Sequence, residues 1–174
     1  MNTTDAPSRR EFLEQYLRDS QVAATLINPG ADMPTVPLAA AALGVMPAQI
    51  VKTIVFEGKK DASRACLAIA PGDIRIATAK VAAALQLTQL KLASAQTVSR
   101  LTGYAVGGVP PVGHATPLPV VIDSRVLQYD VVFGGGGDDQ HMLRISPRDI
   151  QRLTGAVVGD IAAEDAAASP VDAR

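Results

Sequence analysis

The chain has no tryptophan, one cysteine, two histidines and an aromatic content of only 3%. A lone Cys66 excludes a disulfide framework and any zinc site built from several cysteines. His114 and His141 are not at metal-ligand spacing, so neither a metal nor any other cofactor is predicted. So few aromatics argue against the stacking platforms that grip single-stranded nucleic acid. There is no basic excess either: sixteen Lys and Arg face seventeen Asp and Glu, for a net charge of −1 and a pI near 6.1. A non-specific duplex binder needs a large positive surplus, so DNA is not a predicted partner. The apolar run at 38–46 is broken by Gly44 and is too short to span a bilayer. Residues 1–10 are polar and lack the apolar core of a secretory signal. The expectation is a soluble cytoplasmic protein without a membrane partner.

What the sequence does hold is aliphatic. Apolar residues make up 48% of 174, enough for one globular core without staples. The predicted organisation is a single domain over 1–160, with a first helix at 8–20 as an N-terminal appendage. An acidic, flexible tail is predicted at 161–174. Asp160, Glu164, Asp165 and Asp172 leave residues 1–159 with fifteen basic and thirteen acidic side chains, or +2. That suits a local meeting with a phosphate-bearing partner.

Ser8 precedes helical spacing of Phe12, Leu13, Tyr16 and Leu17. Thr35 is placed to cap a helix that Gly44 stops. Residues 50–57 are β-branched and strand-like, and 64–70 return as the second strand of a hairpin across Gly58-Lys59-Lys60-Asp61. Helices are predicted from Thr78 and over 94–101, strands at 120–123, 131–133 and 142–145, and a last helix from Ser146-Pro147. Interspersed hairpins and helices predict an α+β fold.

Lys52 is the most informative side chain. Strand alternation puts it beside Ile50 and Ile54, while Val51, Thr53 and Val55 face the other way. Both faces are apolar apart from Lys52 and Thr53, so the lysine either snorkels out at the sheet end or points into a polar pocket. The run Gly107-Gly108-Val109-Pro110-Pro111-Val112-Gly113 combines residues that permit close backbone approach with residues that fix φ and remove amide donors. It reads as a stiff loop that holds a small polar ligand by its backbone, or as a tight connection. The tetraglycine at 134–137 reads most simply as a flexible hairpin loop. His141 alternates with Leu143 and Ile145, as a structural residue or at a pocket mouth. Asp123 ends a strand, where a carboxylate faces a cleft or caps the turn at Ser124-Arg125. No P-loop and no Gly-x-Ser-x-Gly elbow is present.

Taken together, Ile50-Val51-Lys52-Thr53-Ile54-Val55, Pro71-Gly72-Asp73, Leu101-Thr102-Gly103, the 107–113 run, Val121-Ile122-Asp123 and Ile145-Ser146-Pro147 resemble, in order, the YbaK / prolyl-tRNA synthetase-associated editing domain family. The resemblance covers roughly residues 20–160. It implies an α+β fold with a central mixed, partly barrel-like β-sheet and helices packed around it. It also implies hydrolysis in trans of the ester of mischarged tRNA, usually tRNA(Pro) carrying Cys, Ala, Ser or Thr. The partners implied are the aminoacyl-tRNA acceptor end and prolyl-tRNA synthetase. By the same resemblance Lys52, Gly107 and Pro111 match catalytic positions. Gly108, Val109, Pro110, Asp123 and His141 match substrate-binding ones.

Such a site needs no triad. An aminoacyl ester is activated and has a ribose hydroxyl beside it, so positioning a water and stabilising an oxyanion suffice. Editing answers a physical limit, because one methylene is worth only about 1–3 kcal/mol in a synthetase pocket. Two alternatives stay open at this point: a non-catalytic tRNA- or synthetase-binding module, and a small-molecule ester hydrolase.

Overall fold

The computed structural model describes residues 8–164. Its elements begin where the sequence supplies caps. The Ser8 hydroxyl accepts from the Glu11 N–H and the Glu11 carboxylate accepts from the Ser8 N–H, a reciprocal cap that starts α1 (Arg9–Asp19). β1 (Thr25–Ile27) follows. Thr35 caps α2 (Val36–Leu43), and Gly44 ends it at φ 66°, a left-handed conformation suited to glycine. Next come β2 (Val51–Gly58), β3 (Ala65–Pro71), α3 (Thr78–Ala84), β4 (Leu90–Leu92) and α4 (Ala95–Thr102). Beyond the 107–113 loop lie β5 (Val120–Asp123), β6 (Val132–Gly135), β7 (Met142–Ile145), α5 (Pro147–Thr154) and β8 (Val157–Gly159).

The strands make a five-stranded sheet in the order β4-β2-β3-β5-β8 and a three-stranded sheet in the order β1-β7-β6. β2 and β3 are the predicted hairpin, antiparallel from Val51 opposite Pro71 to Glu57 opposite Ala65. The β3–β5 and β5–β8 pairs are parallel, so the larger sheet is mixed. One parallel bridge, Ile50 to Phe133, links the two sheets at a corner. They lean together there without closing a barrel. This is the α+β architecture expected. The short strands β4 and β8 are not predicted from sequence; three residues are too few to show an alternation, and their neighbours hold them in register.

Alternation along β2, β3 and β5 divides the core. Val51, Val55, Leu67, Ile69 and Ile122 face the main core, and Phe56, Cys66, Ala68, Ala70 and Val121 face a second one with Val81 of α3. Leu13 and Leu17 of α1 sit in the main core, with Leu13 wholly buried. Burying a leucine contributes roughly 1.5–3 kcal/mol, so this helix is part of the body and not an appendage to it. The packed chain also runs past residue 160. Ile161 is fully buried and donates its N–H to Asp123 Oδ2 at 3.0 Å, and Ala163 donates to the Arg75 carbonyl at 2.8 Å. The rest of the acidic segment, 165–174, lies outside the described residues. Among the described residues, no helix is long and apolar enough to cross a membrane.

Candidate functional site

β2 has two unequal edges. Along one it pairs with β3 over Val51 to Glu57; along the other, β4 reaches only Phe56 to Gly58. The Ala93 N–H extends that second edge to the Val55 carbonyl, and the Ile50–Phe133 bridge closes it at the far end. Between these points, among the described residues, the second edge of β2 carries no strand ladder. Hollows open there on both faces.

On one face Lys52, Ile54, Arg75, Ile76, Thr78 and Leu92 border a hollow of about 330 Å³. Lys52 is half-buried and its ammonium donates to the Ile74 carbonyl. Burial lowers its pKa, while the Asp73 carboxylate nearby works the other way. Arg75 brings a second cation to the same hollow. On the opposite face Thr53, Val55, Ala93, Val98, Gly107 and Val109 border an apolar hollow of about 250 Å³. Ile54 and Leu92 line both. Lys52 and the glycine loop therefore occupy different hollows that meet at these two residues.

Only part of the 107–113 loop is open. Gly107, at φ 92°, is exposed, while residues 108–113 are buried. The loop is tied at several points. Gly108 accepts from the Gly137 N–H at 3.0 Å, the His114 ring Nε2–H donates to the Pro110 carbonyl at 2.7 Å, and the Tyr104 hydroxyl donates to the Gly113 carbonyl at 2.9 Å. A carbonyl only accepts, which fixes the proton on His114 Nε2. Burial lowers the pKa of His114, partly offset by that hydrogen bond.

Half of the tetraglycine is strand rather than hairpin loop, and only Gly136 and Gly137 belong to the β6–β7 connection. Gly134 and Gly135 lie in β6, directly beneath the loop. A Cβ on Gly134 would stand 2.8 Å from Pro111 Cδ, and one on Gly135 only 2.4 Å from the Val109 carbonyl oxygen. Absent side chains let two backbones touch. Pro111 thus faces the glycine bed rather than a hollow.

Gly107 and Gly108 also border a larger hollow of about 640 Å³ with Asp32, Asp138 and Asp139. His141 reaches that hollow through Asp138: its Nδ1 lies 2.8 Å from Asp138 Oδ1, and its N–H donates to the same oxygen. Burial opposes ionisation of Asp138, but the His141 ring and the N–H groups of Gln140 and His141 outweigh it and hold the carboxyl below its ordinary range. Asp123 is elsewhere. It is fully buried and takes the turn-capping role, accepting from the N–H groups of Arg125 and Ile161 at 3.0 Å and from the Arg125 guanidinium. Among the described residues, no group of three or more His, Cys, Asp or Glu is arranged to hold a metal ion.

Sequence reasoning did not single out Arg75, Leu92 or Asp138 as site residues. Thr53 was visible as a polar residue on an apolar face. The others had no local signal, because the hollows bring distant segments together.

Residues 31–153 match the family model for the aminoacyl-tRNA editing domain. The chain belongs to this family. A candidate trans-editing enzyme for prolyl tRNA synthetase, known from its crystal structure, is 33% identical with a TM-score of 0.81; the match covers 92% of this chain and 100% of that one. A protein of Enterococcus faecalis named as a candidate Cys-tRNA(Pro)/Cys-tRNA(Cys) deacylase, EbsC, is 25% identical over 126 residues, which is 72% of this chain and 76% of that protein. The proline–tRNA ligase of Desulforamulus reducens is 32% identical over 111 residues, or 63% of this chain. The aligned region is only 19% of that ligase. The editing domain as matched takes in α2, all three hollows and the glycine bed, and leaves α1, β1 and β8 outside.

Proposed function

We propose that this editing domain acts in trans as a deacylase of mischarged aminoacyl-tRNA, with tRNA(Pro) bearing a small amino acid as its substrate. The observation that carries the reading is the meeting of a cationic hollow and an apolar one at Ile54 and Leu92, across the unladdered edge of β2. The charged tRNA end is divided in the same way. Its terminal adenosine and phosphate are anionic and polar, and its amino acid is small and partly apolar.

Lys52 binds the terminal nucleotide through its phosphate or adenosine, with Arg75 beside it. The amino acid enters the apolar hollow against Val109, which leaves the ester at the junction near the Gly107 backbone. Donors fixed before the reaction stabilise the developing oxyanion most effectively, and the tethers on Gly108, Pro110 and Gly113 fix this loop. Pro111 contributes by packing on Gly134 and setting the loop's course. Asp138, oriented by His141, presents an anionic oxygen where the substrate α-ammonium approaches. The water oxygen bonds to the ester carbon, the bond to the ribose oxygen breaks, and the water proton passes to that oxygen. The products are a free amino acid and tRNA with its hydroxyl restored. The association of relatives with prolyl-tRNA ligases supports tRNA(Pro) and its synthetase as partners.

The test is a deacylation panel with tRNA(Pro) charged with Cys, Ala, Ser or Thr, and with proline as control. Release of at least one small amino acid well above the buffer rate, with proline retained, is expected. No release from any of the four overturns the proposal.

A further inference from the structure

Thr53 follows Lys52 directly and faces the opposite side of β2, into the apolar hollow beside Gly107. Its hydroxyl oxygen is buried and, among the described residues, has no hydrogen-bond partner. A buried hydroxyl left unpaired costs roughly 1–3 kcal/mol. Valine has nearly the same shape, would continue the β-branched run of β2 and would carry no such penalty. The surrounding side chains of Val55, Ala93, Val98 and Val109 offer no hydrogen-bonding group. A polar atom held unpaired against apolar walls, at the border of a substrate loop, is matched by a polar atom on what enters.

We infer that Thr53 is the specificity-determining residue of this site and pairs with a side-chain hydroxyl of the aminoacyl group, so that the substrate is a seryl or threonyl ester in preference to an alanyl one. The inference rests on the deacylase reading above. A hollow of about 250 Å³ admits serine, threonine and alanine alike, so size alone separates them poorly. A site polar group that only the correct substrate can satisfy discriminates far more strongly, since the wrong substrate leaves it unpaired. The prolyl ester, which must survive, also carries no side-chain polar group for Thr53.

The experiment compares kcat/KM on Ser-, Thr- and Ala-tRNA(Pro) for the wild type and for Thr53→Val, Thr53→Ala and Thr53→Ser. The wild type is expected to favour the seryl over the alanyl ester by about 10–100-fold. Thr53→Val and Thr53→Ala bring that ratio close to one, and Thr53→Ser keeps it. The Tm of Thr53→Val stays level or rises, because an unpaired polar atom has been removed. A wild type that favours alanine, or an unchanged ratio in the folded Val or Ala variant, overturns the assignment of Thr53 and leaves deacylation standing. A wild type that releases none of these three esters overturns the role of Thr53, and if it leaves the cysteinyl ester intact as well, the deacylase reading falls with it.

Discussion

The two faces of β2 solve different problems with neighbouring residues. The Lys52 face is built mostly locally: Lys52, the Ile74 carbonyl that accepts its hydrogen bond, Arg75 and Thr78 lie within one stretch of chain joined by the β2–β3 hairpin, with only Leu92 of β4 added from farther on. The Thr53 face is built from afar. Its hollow needs Ala93 from the strand–helix junction and Val109 from the loop, and the loop in turn needs the glycine bed of β6. A charge can be positioned by one hairpin. A shaped apolar pocket requires several segments to converge, and each convergence is a place where a substitution far from the chemistry is felt.

The sharpest way to break the comparison is to remove the charge from the local face. Lys52→Ala is expected to lower deacylation by about a hundredfold, the cost of a substrate whose reacting group is held about 1 Å out of place. The side chain is half-buried and hydrogen-bonds the Ile74 carbonyl, so the Tm should change little. Rates on mischarged tRNA and a melting curve check both halves. Undiminished turnover would take Lys52 out of the mechanism.

The distant face is broken by adding a single carbon. Gly135→Ala sets a Cβ 2.4 Å from the Val109 carbonyl oxygen, so the loop backbone itself must move. Overpacking of this kind costs about 1–3 kcal/mol of stability. A displacement near 1 Å at a reacting centre can cost about a hundredfold in rate. Both Tm and turnover are therefore expected to fall, in contrast to the activity-only effect at Lys52. Gly159→Ala is the control, because its Cβ would meet nothing closer than 3.8 Å, and it should move neither.

This division also explains what the sequence could reveal. The hairpin, the Thr35 cap and the Gly44 stop were legible because each depends on residues a few places apart. Lys52 stood out because strand alternation alone puts a charge on an apolar face. The glycine bed was misread as a flexible tip. A run of four glycines signals tolerance of close approach but does not say which backbone approaches, and here it is one more than twenty residues upstream. Asp123 was legible as a strand-end carboxylate, but choosing between a cleft and a turn required seeing Arg125 and Ile161 converge on it. The packed segment at 161–163 was hidden for the same reason: Ile161 is one apolar residue in an acidic stretch, and its burial depends on Asp123 and α3.

The smallest expected effect separates the loop's support from its chemistry. His114 hydrogen-bonds the Pro110 carbonyl from behind the loop, and burial holds its pKa below the ordinary 6.5. The unfolded chain therefore takes up a proton near pH 6.5 that the native state takes up only at lower pH. By linkage, stability is fully present above that value and is lost as pH falls from 6.5 toward the folded pKa. The lowered pKa of Lys52 sits in a different window, below 10.5, and those of Glu11 and Asp138 below the ordinary carboxylate values, so the mildly acidic slope can be assigned. Thermal melts from pH 7.5 to 5.5 should show a modest decline in Tm. His114→Gln retains a donor for Pro110 but does not titrate, so it should flatten the decline. If the slope survives that substitution, the support of the loop does not depend on a neutral imidazole at this position, and the distant face is less sensitive to pH than its half-buried histidine requires.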